Sequence, residues 1–375
     1  MSVADKFGRV YDLIFREFPH RAETGLFPIG NPGPDSPVLV TGNYTETVRR
    51  LRKVLRGENV WLLVANSKGI NVWCAAGGGH FTHHDVISAI MTSGAREKLG
   101  DCTVILPQLG ATGIERRKVA EATGWKVVWG PARLEDLPVF LRRRHAATPD
   151  QRFMRFPLWE RMEMATMWGI PMILIGFIIF SLTGGLIVGV SVSLEAAFIA
   201  YGIFAALPAL NIRGRKRWVT FAIFASVGIM IGWGLLDFLG YFSTRSIILS
   251  GIGGIIEILA ISVDLAGTTP WYGSYINTFR NHAHIDLIPE RCNGSGDCLM
   301  VCPRNVFKMD GKKGKIDIAA GEDCIECGAC IVQCPKDALR FRYDDGRIAD
   351  ATIIRKTRMN MLGRRTVSIS RDGEE

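Results

Sequence analysis

A chain of 375 residues is too long for one ordinary domain, and 48% hydrophobic with 22% charged residues points to soluble parts joined to an apolar one. Much of the net charge of +9 lies in Arg142, Arg143 and Arg144 and in the run Arg213 to Arg217, on the flanks of the apolar block. Such flanks follow from membrane topology, and without an interleaved aromatic-basic surface they argue against a nucleic-acid partner.

The turn residues Gly30 to Pro34 close a lead-in. A strand is predicted over 38–41, a helix over 45–56, and over 60–65 a strand apolar on both faces. Then come a helix over 83–99, a strand over 103–107, a helix over 113–122, a strand over 125–129 and a helix over 134–144. Apolar strands alternating with helices predict an α/β domain with a parallel sheet, whose ligands bind at the carboxyl ends of the strands.

No Lys or Arg occurs between Arg161 and Arg213, which is long enough to cross a bilayer twice. Four spans are expected, near 164–183, 188–211, 218–240 and 246–266, forming an α-helical membrane bundle. The piece from Gly184 to Ser193 could instead be short or re-entrant. The basic cluster 213–217 should face the cytoplasm, which places both termini and both soluble domains there. The opening residues lack the apolar core of a signal peptide, in keeping with a cytoplasmic-membrane protein. Glu195, Asp237, Glu257 and Asp264 fall inside or at the ends of the spans. They either sit near interfaces and face one another, or mark an ion or proton pathway. Gly251, Gly253 and Gly254 read as close helix packing.

Seven of nine cysteines lie between Cys292 and Cys334, at ligand spacing rather than as a disulfide framework. Cys324, Cys327, Cys330, Cys334 and Pro335 form the full bacterial ferredoxin run, in which the fourth cysteine serves the other cluster. Structural zinc is the competing reading, but zinc sites pair two short knuckles. The first run has Cys292, Cys298, Cys302 and Pro303 in place, with Ser295 at the second position. One cluster is therefore expected on Cys302, Cys324, Cys327 and Cys330, as 4Fe-4S. The other is expected on Cys292, Cys298 and Cys334, with Ser295 or an external ligand at the fourth iron. That second cluster could be 4Fe-4S or 3Fe-4S, or be absent. Gly294, Gly296 and Gly328 read as turn residues. The expected partition is a lead-in at 1–35, an α/β domain at 36–146, a basic linker at 147–162, spans at 163–267 and a linker at 268–284 with interfacial Trp271, Tyr272 and Tyr275. An α+β two-cluster ferredoxin domain at 285–345 and a basic tail at 346–375 follow.

The segment Asn71, Val72, Trp73, Cys74, Ala75, Ala76, Gly77, Gly78, Gly79 joins a strand to a helix. A lone cysteine is usually a small buried hydrophobe. Here, however, it sits on the expected carboxyl edge, beside residues that leave room for a large flat ligand. Asn-Val-Trp-Cys-Ala-Ala-Gly resembles the signature of the corrinoid-binding domain of the mercury-methylation corrinoid protein, itself similar to the large subunit of the corrinoid iron–sulfur protein. In that family a corrinoid-binding α/β domain precedes a membrane domain, and the partner is a small two-cluster ferredoxin. This chain resembles the two partners fused. The resemblance implies a corrinoid lying on Asn71, Trp73, Cys74, Ala75, Ala76, Gly77, Gly78 and Gly79, with Cys74 as the axial ligand to cobalt and the catalytic residue. It also implies methyl transfer from a donor protein or small molecule, and low-potential electrons from the fused ferredoxin to restore reduced cobalt. The family signature continues with Lys where this chain has Gly78, and the partner ends in a cysteine pair where this chain has none after Cys334. A paralogue with another methyl acceptor is the reading that follows.

Two further classes compete: a membrane ferredoxin-type electron-transfer protein with a docking or sensor head domain, and a transporter relaying through Glu195 and Asp237. Few polar residues in the spans weigh against the transporter. His80, His83, His84 and Asp85 read as a helix start with its acid on the helix dipole, against a metal site or His80 as a cobalt ligand. Cys102 reads as core. Gly110 to Gly113 form either a tight turn or a cradle for the corrin tail or a phosphate.

Overall fold

The computed structural model describes residues 18–210, 216–262, 283–311 and 314–359, with residues 8, 10–12 and 14–15 before them. Two compact units result, one gathering residues 18–155 with the chain from 283 onward, the other centred on 156–262.

In the first unit five strands form one sheet of order β1-β3-β2-β4-β5: β1 (Gly25–Ile29), β2 (Val38–Gly42), β3 (Val60–Ala65), β4 (Thr103–Leu106) and β5 (Lys126–Trp129). Strands β2 to β5 run parallel, Val38 pairing with both Trp61 and Val104, and Val104 with Val127. β1 is antiparallel to β3, with Gly25 opposite Val64. The sheet is therefore mixed, a correction to the all-parallel expectation, and the extra strand comes from the stretch read as a lead-in. It carries Pro28, which has no backbone donor and is tolerated on an edge.

The helices of this domain are α1 (Thr45–Val54), α2 (Val72–Gly77), α3 (His83–Thr92), α4 (Ala95–Lys98), α5 (Arg116–Thr123), α6 (Leu137–Arg142) and α7 (Pro149–Arg152). The single helix expected over 83–99 is two, because Gly94 turns the chain at φ 72°. The helix expected from residue 113 starts at Arg116, after a 3-10 turn over Gln108–Thr112. The path from β2 to β3 and back across to β4 reverses the winding between β2 and β4. The carboxyl edge at that reversal, where such sheets bind ligands, carries Asn43, the 66–82 segment and the 108–113 turn. Asn43 fixes it: its Oδ1 accepts from the N–H of Ser67 at 2.9 Å and of Gly69 at 2.9 Å.

The second unit holds α8 (Leu158–Gly184), α9 (Leu186–Ala206), α10 (Lys216–Phe238) and α11 (Thr244–Ile261). All four are long and apolar enough to cross a membrane. Gly185, at φ 92°, separates α8 from α9, and α9 is continuous, so the stretch weighed as re-entrant is its first turns. Asp237 is exposed at the end of α10. Asp264, Trp271, Tyr272 and Tyr275 lie outside the described residues.

From residue 283 the chain returns to the first unit as β6 (Ala283–Leu287), α12 (Asp297–Val301), β7 (Phe307–Asp310), β8 (Lys315–Ile318), α13 (Ala329–Gln333), β9 (Leu339–Tyr343), β10 (Ile348–Ala349) and α14 (Ala351–Lys356). The sheets are β10-β9-β6 and β7-β8. Residues 348–356, expected as tail, are thus built into this domain. Arg355 in α14 donates to the carbonyl of Cys334 at 3.2 Å and to Asp337 Oδ1 at 2.6 Å.

The α/β and ferredoxin-type domains share one buried hydrophobic cluster that runs from Val38 and Leu106 to Val301 and Ile331. Gln333, buried, donates to the carbonyls of Ala111 at 2.9 Å and Ile114 at 2.7 Å and accepts from the Arg116 N–H at 3.2 Å. Arg116 also pairs with Asp297 at 2.7 Å. Gln333→Ala leaves these backbone groups without their partner at a cost of about 1–3 kcal/mol. Amide exchange should rise in 108–116 and 329–333 and stay unchanged in α1; equal exchange in all three would show that the two domains are held together by other contacts.

Candidate functional site

The two cysteine runs repeat each other in backbone conformation. Gly296 at φ 76° corresponds to Gly328 at 75°, Asn305 at 50° to Asp337 at 49°, and Gly294 at 71° to Glu326 at 54°. The N–H of Val306 points at Cys302 Sγ (3.4 Å) as that of Ala338 does at Cys334 Sγ (3.2 Å). Ser295 therefore occupies the place that Cys327 has in the second run, but it is exposed where Cys327 is buried.

The thiols of the two runs act on one another. Burial pushes the Cys298 thiol up to about 12, with Cys334 and Cys292 adding to the effect. Burial also raises the thiols of Cys324, with Cys327 and Cys302 adding to it, and of Cys330, with Cys327, Cys324, Cys302 and Cys298 adding to it. Thiols so buried stay protonated alone and give up the proton when they bind iron. The donor set, seven cysteines in two runs without a histidine, therefore fits iron–sulfur ligation. Among the described residues no three His, Cys, Asp or Glu converge on a single metal ion.

Cys74 is half-buried in the first turn of α2, its N–H capped by Asn71 Oδ1 at 3.0 Å. Trp73 packs against the shared core, and Ala75, Ala76 and Gly77 are buried. The 108–113 turn lies flush on this helix because Gly113 lacks a side chain. A Cβ there would stand 2.5 Å from the Ala76 carbonyl oxygen and 2.7 Å from that of Phe81. Gly110 to Gly113 form a tight turn, since the N–H groups of Gly113 and Ile114 both go to the Gly110 carbonyl and the carbonyl of Ala111 takes Gln333. The glycines after Cys74 face the chain's own later residues. Met359 donates its N–H to the Gly77 carbonyl at 2.7 Å, and a Cβ on Gly77 would meet its Sδ at 2.9 Å. Gly79, at φ 74°, lies against the Arg358 side chain, and Gly78 lies between them.

Asp85 accepts from the Thr82 N–H at 2.8 Å, which makes 82–85 a helix start as read. Burial lowers His80, with Lys68 and Arg358 adding to it, and burial lowers His83, with Lys118 and His84 adding to it. Cys102 is core, and burial pushes its thiol up to about 11. Gln333, Arg116, Asp297, Arg358 and Met359 were not singled out from the sequence. A buried amide or one methionine in a basic stretch has no periodic or motif signature.

Residues 16–141 match the family model of the CO dehydrogenase/acetyl-CoA synthase delta subunit. Residues 291–338 match that of the 4Fe-4S dicluster domain. An acetyl-CoA decarbonylase/synthase complex subunit gamma of Methanopyrus kandleri is 34% identical over 127 residues, covering 33% of this chain and 27% of that protein. The subunit gamma of Archaeoglobus fulgidus is 35% identical over 115 residues, covering 30% and 24%. The corrinoid/iron–sulfur protein large subunit of Moorella thermoacetica is 26% identical over 133 residues, covering 35% and 29%. Over this third of its length the chain is similar to corrinoid iron–sulfur proteins. It spans less than a third of the length of those relatives.

The contact between α2 and the 108–113 turn yields a test. Gly113→Ala forces two backbone segments apart and should cost about 1–3 kcal/mol. A fall in thermal midpoint with faster alkylation of Cys74 is expected, whereas an unchanged midpoint would mean that the turn yields freely.

Proposed function

We propose that the chain is a membrane-anchored corrinoid iron–sulfur protein with its own electron donor, a paralogue of the mercury-methylation protein whose methyl acceptor differs. The observation that carries this reading is the docking of the ferredoxin-type domain on the edge of the sheet that bears Cys74. Its contacts at Asp297 and Gln333 are chain neighbours of Cys298 and Cys334. A bound corrinoid supplies a cobalt centre that accepts and donates a methyl group and needs occasional low-potential reduction, a range that cysteine-held clusters reach.

The residues of the chain have these roles. Cys74 would offer its thiolate to the cobalt of a bound corrinoid, and Asn71 fixes the turn that presents it. Trp73, Ala75, Ala76, Gly77, Gly78 and Gly79 form the surrounding surface, part of it under Arg358 and Met359. Cys302, Cys324, Cys327 and Cys330 would hold one 4Fe-4S cluster. Cys292, Cys298 and Cys334 would hold a second cluster, with Ser295 or an external ligand completing the set. Covalent linkage keeps donor and acceptor together at high effective concentration. Glycine at position 78, where the mercury-methylation signature has lysine, motivates the different acceptor.

The four apolar helices serve as membrane spans in this reading. Residues 18–155 and 283–359 pack against each other, so the chain between them must return to the side it left, and only an even number of crossings allows that. The basic cluster 213–217 argues for the cytoplasmic side.

The full chain, synthesised with cobalamin present, placed in nanodiscs and gel-filtered, tests the corrinoid. About one cobalt per chain is expected, with a visible band that moves in Cys74→Ala. No uptake by folded protein would leave a membrane electron-transfer protein with a docking head. Ser295→Cys tests the clusters separately: iron should rise from about seven toward eight per chain, with loss of any three-iron EPR signal. Eight irons already present in the wild type would show that position 295 needs no cysteine.

A further inference from the structure

The four-helix unit buries two acids that the proposed function does not use. Glu195, midway along α9, is fully buried, and Glu257 on α11 is 5% exposed. The hydroxyls of Ser191, one turn earlier on α9, and of Ser250 on α11 both donate to Glu195 Oε1, Ser191 at 3.3 Å. Glu195 Oε2 and both carboxyl oxygens of Glu257 have no hydrogen-bond partner among the described residues.

All four helices shape this spot. On α10, a side chain at Gly232 would collide with Glu195 Oε1. On α11, a Cβ at Gly254 would lie 3.1 Å from Glu195 Oε2, and on α8 one at Gly176 would lie 3.5 Å from Glu257 Oε1. Ser250, Gly254 and Glu257 recur at the spacing of one helix face, as do Ser191 and Glu195. Glu257 stands about one helical turn after Gly254, the position that lies beside Glu195 Oε2. The remaining charged groups of the packed helices lie toward their ends: Glu160, Arg161 and Glu163 on α8, Lys216, Arg217 and Asp237 on α10, and Arg245 on α11, which donates to the Thr183 carbonyl. The interior of the spans thus contains two acids and no Lys, Arg or His.

An isolated carboxylate in such surroundings is costly, and two neighbouring ones more so; the neutral acid is the form that burial tolerates. Buried acids in membrane spans without a cationic partner mark proton or ion sites. We propose that Glu195 and Glu257 form a proton-binding site within the four-helix unit. Ser191 and Ser250 orient Glu195, and each acid gives up its proton to water and regains one from water. The proposal rests on reading the four helices as spans and is independent of the corrinoid.

The test is infrared difference spectroscopy of the full chain in nanodiscs, titrated with pH in water and in heavy water. A protonated-carboxyl stretch is expected at neutral pH. It should shift in heavy water, lose about half its area in Glu257→Gln and change position in Ser250→Ala. A band that is missing, that fails to shift in heavy water, or that is unaltered in both variants would overturn the proposal. So would a band bleached by sodium but not by choline at fixed pH, which would make the pair a metal-cation site. If Glu257→Gln does not fold, the heavy-water shift and the Ser250→Ala displacement decide.

Discussion

One buried amide, that of Gln333, joins the backbone of the α/β domain to the ferredoxin-type domain. It sits between Ile331, which packs into the shared core, and Cys334, and it satisfies two carbonyls and one N–H of the 111–116 segment. Those backbone groups are sealed from water, so they need partners from the ferredoxin side. The domains are therefore joined by an internal surface rather than by a linker. Arg116 and Asp297 add a charge-assisted contact at the rim, and Met154 donates to the Pro303 carbonyl at 2.8 Å on a further stretch of the interface.

That joint bears on how the cysteine-bearing helices relate to Cys74. The 108–113 turn touches α2 on one side and α13 on the other, with Gly113 setting the approach to α2. A side chain at Gly113 would open the first contact and loss of Gln333 the second. The helix that bears Cys74, the 108–113 turn and α13 thus pack in series.

Much of this was legible in the sequence where residues repeat with a period or a fixed spacing. The parallel strands stand out as apolar runs, the four long helices as stretches without Lys or Arg, and the position of Ser295 as a break in an otherwise regular cysteine pattern. Both runs adopt the same turns, so Ser295 and Cys327 take equivalent backbone positions. β1 was missed because it is half-buried, carries Pro28 and is added antiparallel at an edge, outside the βα alternation. The break at Gly94 and the late start of α5 depend on single turns. Gln333 and Met359 matter because of what they touch, and neither has a neighbour in sequence that announces it. The glycines of the spans divide in a similar way: Gly253 packs against Val192, as expected of small residues, while Gly232 and Gly254 also make room for the Glu195 carboxyl group.

The cover over Gly77 and Gly79 has a consequence for the order of assembly. The helix bearing Cys74 leaves the ribosome before the four apolar helices, and Arg358 and Met359 follow only after both cysteine runs. A growing chain passes through a stage in which α2 has formed on its sheet while the carbonyl of Gly77 still lacks the Met359 amide. At that stage the edge is open on the face that the finished protein closes. The cover over Gly77 and Gly79 is thus the last part of this edge to be synthesised, and the edge is complete only when both cysteine runs have left the ribosome.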